Sequence, residues 1–199
     1  MASWSDTLIC FYGDEEKMKE VEREIRACVD ESSFYGKRPE GCDRYDEDDY
    51  GFSYMEEILL ENYGDNITLT GRGRWHGPFS WFKCIAEKYG ISGEYHDRER
   101  GAGFYNRIIA ENGEITEDET YDYISKEALE YVGYETMLYD MEWAAETYDE
   151  DPWGNRDHLQ KFAGVVGCTL EDIFEDLNIE IPKDIKEDNS NANGGLSHL

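Results

Sequence analysis

The chain has 199 residues, with 47 acidic and 19 basic side chains and a formal net charge of −28. That length holds one ordinary domain, or one with a small appendage, and a core that needs no disulfide or metal staples. The charge excludes wholesale binding to a nucleic-acid backbone, because the carboxylates repel phosphate. No apolar run approaches the ~18 residues of a membrane-spanning helix.

The opening MASWSDTLICFYGDEE has no basic stretch followed by a long apolar one, so no signal peptide is expected. Low hydropathy with high net charge is also the mark of disorder. Aromatic residues at 14% and clear apolar periods argue for a folded chain instead. The five cysteines (Cys10, Cys28, Cys42, Cys84 and Cys168) are odd in number and form no CxxC. Reduced thiols in a cytoplasmic protein are therefore expected.

Thr7–Tyr12 (TLICFY) predicts a strand. Gly13-Asp14 ends it and opens a helix over 14–31, in which Met18, Val21, Ile25, Cys28 and Val29 recur at helical spacing. Residues 32–50 are polar and contain Gly and Pro, as in a loop, and YMEEILLENY (54–63) predicts a short helix. Asn66–Thr70 is an expected strand, with GRGRWHGP after it as a loop. FSWFKCIAEKY (79–89) predicts a helix, and Gly93–Arg98 and Phe104–Glu111 predict strands. Asn112-Gly113 is the strongest hairpin signal in the chain. Ser125–Tyr148 predicts one helix capped by Ser125, with Tyr131, Tyr134, Leu138, Met141 and Ala145 as its apolar stripe. Two short helices are expected at Asp157–Gly167 and Leu170–Leu177, with Phe162, Val165, Val166, Leu170, Ile173 and Phe174 buried. The stretch FAGVVGCTLEDIFEDL resembles the closing helices of a phage-repressor helix-turn-helix domain, but no recognition helix precedes it.

The charge is unevenly placed. Residues 1–71 carry 7 basic and 19 acidic groups, net −12; residues 72–107 carry 7 and 4, net +3; residues 108–182 carry 3 and 21, net −18. Averaged over a folded surface of roughly 9,700 Å², one net charge occupies about 350 Å², some threefold more dilute than duplex DNA. A face gathering the acids of 108–182 would approach DNA density.

Residues 66–116 resemble the YubB-like ferredoxin-fold family of phages and plasmids. Trp75, Pro78, Trp81, Ala86, Lys88, Tyr89, Tyr95, Gly101, Gly103, Phe104, Asn112 and Gly113 carry the resemblance, while Gly90 stands where the family has Pro. The resemblance implies a ferredoxin-like α+β core and an origin in a mobile element, and it brings no catalytic residue. The expected architecture is a ferredoxin-like antiparallel sheet with helices on one face over 1–120, with an acidic insertion at 32–65. An acidic, mainly helical extension over 121–185 and a disordered tail at 186–199 follow.

Candidate sites are few. Asp46, Asp48, Gly51 and Glu57 fall at positions 1, 3, 6 and 12 of a calcium loop, but Tyr50 and Ser53 break its pattern and no entering helix precedes it. His76, His96 and His158 lack metal-ligand spacing. GRGRW is no phosphate loop, and GxSxG and HExxH are missing, so neither a catalytic motif nor a cofactor is indicated. The acidic, aromatic stretch 119–153 is the best candidate for a partner surface. Asp122, Glu130, Glu135, Asp140, Glu142, Glu146, Asp149, Glu150 and Asp151, anchored by Tyr134, Trp143 and Trp153 and joined by Asp46, Asp48 and Asp49, would meet a basic partner.

The expected function is that of a non-enzymatic, DNA-mimicking inhibitor from a mobile element. It would occupy a positively charged nucleic-acid site on a host defence protein, such as a CRISPR effector or a restriction enzyme. In the alternative reading the acidity only solubilises, and the basic 72–107 stretch contacts an anionic ligand or RNA.

Overall fold

A computed structural model describes residues 4–29, 34–35, 54–74, 77–99, 103–149 and 152–186. They form two compact units that divide between Tyr123 and Ile124.

The first unit is α+β. Its elements in chain order are β1 (Trp4–Tyr12), α1 (Glu15–Cys28), β2 (Phe34–Tyr35), β3 (Tyr54–Asn62), β4 (Asn66–Arg74), α2 (Phe79–Tyr89), β5 (Ser92–Glu99), β6 (Phe104–Glu111) and β7 (Glu114–Asp122). The strands form one sheet in the order β2-β3-β4-β1-β5-β6-β7, with every neighbouring pair antiparallel. The chain thus runs β-α-β-β-α-β through β1, α1, β3, β4, α2 and β5, and the β6–β7 hairpin widens the sheet.

Alternation along β1 sets which face is inside. Thr7, Ile9 and Phe11 point one way and are buried. Register places Leu69 and Tyr95 on either side of Ile9, and Ile108 beyond Tyr95. Met18, Val21 and Ile25 of α1 and Trp81, Phe82, Ile85 and Ala86 of α2 close over this row, so both helices pack on one face of the sheet. Phe11 stacks on Phe82 at 5.4 Å, and Trp81 lies tilted to Phe11 at 6.3 Å.

Local chemistry explains the ends of these elements. The Asp14 side chain accepts the Lys17 amide at 2.9 Å and caps α1, with Glu15 and Glu16 in its first turn. Gly90 takes the left-handed conformation that ends α2. Asn112 and Gly113 both have positive φ, 50° and 87°, as a two-residue turn between right-twisting strands requires.

Three expectations for the first unit need correction. Residues 54–62 form strand β3, not a helix. The cause is a β-bulge: pairing with β4 steps from Glu56↔Arg72 to Leu59↔Thr70, and Glu57 sits at the bulge with φ 55°. One inserted residue turns a period of two into a step of three, so Met55, Ile58 and Leu59 mimic helical spacing. The second correction is that GRGR is not loop: Gly71 to Arg74 continue β4 against Thr7 to Trp4. Gly71 is needed there, because a Cβ would lie 2.5 Å from Met55 Cε and 2.9 Å from the Glu56 carbonyl at the bulge. Thirdly, Cys84 is disulfide-bonded, whereas Cys10, Cys28 and Cys168 are in no disulfide; Cys42 lies outside the described residues. A sequence without paired cysteine motifs carries no signal for such a bridge.

The second unit is helical: α3 (Lys126–Val132), α4 (Tyr134–Glu146), α5 (Pro152–Val166) and α6 (Leu170–Asp176). Ser125 caps α3 as expected, its side chain accepting the Ala128 amide at 3.1 Å. The expected single helix over 125–148 is broken at Gly133, whose φ of 80° and ψ of 159° end α3 and start α4. Met137, Met141, Ala144, Ala145, Tyr148, Leu159, Phe162, Ala163, Ile173 and Phe174 form its buried interior, while Val165, Val166 and Leu170 are half-buried. Thr169 and Asp172 cap α6 reciprocally.

Gly77 leads into α2, and a Cβ there would stand 2.3 Å from Thr7 Oγ1 and 2.9 Å from Tyr95 Oη. Gly77→Ala is expected to cost about 1–3 kcal/mol through overpacking, read as a lower urea midpoint at unchanged m-value.

Candidate protein-binding face on an acidic helix

Helix α4 carries YETMLYDMEWAAE. At 3.6 residues per turn, Glu142, Glu135, Glu146, Tyr139 and Trp143 fall, in that angular order, within an arc of about 100°. Met137, Met141, Ala144 and Ala145 are buried and lie on the opposite side. Burial therefore orients the helix and turns the first five outward. Tyr139 and Trp143 are each 68% exposed, far above the norm for large rings. Glu135 and Glu146 are exposed and Glu142 is partly so. Residues three and four apart on a helix have Cβ atoms ~5–6 Å apart, so each ring has a carboxylate beside it. Side chains of the five make no hydrogen bond, ion pair or ring contact among the described residues.

Four of these five belong to the residue set expected from the sequence; Tyr139 was missed, although its place one turn before Trp143 was a readable signal. Other members of the set lie elsewhere. Asp140 is half-buried on the flank of α4, Glu130 is exposed on α3, and Asp149 is exposed after α4. Asp122 is exposed at the end of β7, in the first unit. Tyr134 is not an outward anchor: its hydroxyl donates to Asp176 at 2.5 Å and its ring stacks on Phe162 at 5.9 Å. Trp153 falls in the first turn of α5, of which only the backbone is described. Asp46, Asp48, Asp49, Glu150 and Asp151 lie outside the described residues, as do Trp75, His76, Arg100 and Gly101. The calcium-loop reading meets a further mismatch, since Glu57 is in β3 where an exiting helix would have to begin. Among the described residues no group of three metal-ligating side chains gathers.

Five cations of the middle stretch are held within the first unit. Arg72 pairs with Glu57 at 3.7 Å and lies over the Trp4 ring at 5.5 Å. Lys83 pairs with Asp118 at 2.6 Å, Lys88 with Glu24 at 2.6 Å, Arg98 with Asp6 at 3.5 Å and Arg107 with Glu117 at 3.5 Å. Partly exposed pairs of this kind add little stability, but they leave these five cations neutralised in place.

Two buried polar groups serve the fold. Asp97, fully buried, accepts the Thr7 hydroxyl at 2.9 Å and the Gly77 amide at 3.0 Å. His96 is 5% exposed, with Nδ1 2.8 Å from Tyr105 Oη and Nε2 3.1 Å from Glu94 Oε2. A neutral ring that accepts the Tyr105 hydroxyl and donates Nε2–H to Glu94 satisfies all three groups. Burial pushes the His96 pKa down, opposed by the Glu94 hydrogen bond. No protein-family model, curated protein or solved structure matches the chain.

Because His96 binds its proton less readily when folded, the unfolded chain protonates first as pH falls through about 6.5. Its contribution to stability is therefore complete above that pH and lost below it. His96→Gln is expected to flatten the decline in urea-unfolding free energy from about pH 7 to about pH 5 by up to ~1.4 kcal/mol per pH unit.

Proposed function

We propose that the protein is a non-enzymatic, acidic inhibitor that occupies a positively charged nucleic-acid site on another protein. A CRISPR effector or a restriction enzyme is the partner type that fits this chemistry. The observation that carries this reading is the outward face of α4, where three carboxylates and two exposed rings have no partner among the described residues. Interfaces are anchored by such aromatic residues. Excess negative charge steers encounter with a basic surface.

The element order β-α-β-β-α-β and the strand order β3-β4-β1-β5 support a ferredoxin-like reading of the core. That reading is compatible with the resemblance of residues 66–116 to phage and plasmid proteins, and on it we base the mobile-element origin. The acidic helical unit is then the extension that carries the inhibitory surface. The alternative, an anion or RNA site on residues 72–107, is disfavoured by the internal pairing of Arg72, Lys83, Lys88, Arg98 and Arg107. No helix among the described residues is long and apolar enough to cross a membrane.

The test is a DNA-competition assay with purified Cas9-type effectors and restriction endonucleases. At low salt the protein is expected to displace DNA from one of them, with the effect weakening at least several-fold as salt is raised. Absence of binding to any of them at low salt sinks the reading. Loss of activity on neutralising Arg72, Arg74 and Arg100, with the α4 acids intact, would favour the alternative.

A further inference from the structure

The chain treats its aromatic rings in two ways. In the first unit, cations of its own lie over several of them: Arg72 over Trp4 at 5.5 Å, Lys83 over Phe79 at 5.3 Å and Lys88 over Tyr89 at 5.4 Å. A cation within ~6 Å of a ring centroid is attracted by the ring's quadrupole. On α4 the same ring types stand open. The whole stretch 127–155 contains no Lys, Arg or His. No cation among the described residues lies over Tyr139 or Trp143. Each ring also has a carboxylate three residues on, Glu142 for Tyr139 and Glu146 for Trp143, and Glu135 completes the row one turn before Tyr139. The face therefore offers two uncapped rings and three unpaired carboxylates in one strip.

We infer that this strip is a receptor for arginine side chains of the partner protein, with Trp143 and Tyr139 as stacking platforms and Glu135, Glu142 and Glu146 as carboxylate clamps. The inference rests on the binding role proposed above and specifies its occupant. Arginine fits better than lysine for a geometric reason. A guanidinium lying flat on a ring keeps its N–H groups in its own plane, parallel to the ring and directed outward past its edge, where a neighbouring carboxylate can accept two of them. An ammonium is a compact, strongly hydrated charge that gains less from such a flat platform. The strip also has the composition that self-association would reject: two α4 faces brought together would set carboxylate against carboxylate, and neither would supply a cation. The occupant is thus a basic, arginine-bearing surface rather than a second copy of this chain.

The test uses the full chain and two labelled peptides of equal length, oligo-arginine and oligo-lysine, measured by fluorescence anisotropy at low salt. The wild-type protein is expected to prefer oligo-arginine. Trp143→Ala and Tyr139→Ala, which leave the net charge unchanged, are each expected to weaken oligo-arginine binding about two- to fivefold and to remove most of the preference. Trp143→Phe is expected to restore part of it. Because both rings are exposed, the variants are expected to melt with the wild type, which a thermal scan checks. Equal affinity for the two peptides, or unchanged arginine binding in Trp143→Ala, overturns the inference and leaves only diffuse attraction by a net charge of −28. The outcome is separable from the inhibitor reading: a protein that displaces DNA from its target equally well with and without Trp143 retains that function but not this receptor. A chain that selects arginine yet displaces no DNA keeps the receptor and loses the inhibitor role.

Discussion

The sheet unit depends on one buried carboxylate. Asp97 lies on the inward face of β5 with no exposure to water, and an ion so placed is costly unless it is fully hydrogen-bonded. Thr7 on β1 and the Gly77 amide before α2 satisfy it. The same three positions therefore lock the central strand, its neighbour and the approach to the second helix. Gly77 can have no side chain, because Thr7 already fills the space. With that corner set, Ile9 and Phe11 face Trp81, Phe82 and Tyr95, and the inner row of the core follows from strand alternation.

Charge is organised by the same logic of pairing. Lys83, Lys88 and Arg98 pair with carboxylates distant in sequence and Arg107 with Glu117 of the next strand, so the net +3 of residues 72–107 is not an open basic patch at these positions. Acid, in contrast, outnumbers what those cations can neutralise. The excess is sorted by helix geometry in the second unit, where four small or flexible apolar residues of α4 turn inward and a strip of acids and rings turns outward. The open rings of Tyr139 and Trp143 are the counterpart of the capped rings of Trp4, Phe79 and Tyr89.

Where local signals were self-sufficient, they were legible. The Asn112-Gly113 hairpin, the Ser125 cap and the amphipathic stripe of α1 need only their own residues and a water boundary. The misread segments share a different cause. In β3 a single bulge residue, Glu57, shifts the apolar period, and the bulge exists only because β4 passes alongside. In β4 the two glycines of GRGR look like loop punctuation, yet Gly71 is there to let the bulged neighbour approach. Gly133 lies inside the single helix expected over 125–148 and instead separates α3 from α4. For the candidate face, Glu135, Glu142, Glu146 and Trp143 were visible as an acidic, aromatic run. Tyr134 belonged to the same run and turned out to serve the interior through Asp176 and Phe162.

The sequence by itself determined the charge partition, the mixture of strands and helices, the caps and turns, and the absence of cations from residues 127–155, because each follows from residue type and near-neighbour spacing. Tertiary structure decided which strand is central, that Lys83, Lys88 and Arg98 are neutralised from afar, and which aromatic residues of an acidic run face outward. Those outcomes depend on contacts between residues tens of positions apart. Local periodicity holds no information about them, since the partner that buries a ring or pairs a charge is supplied by another element.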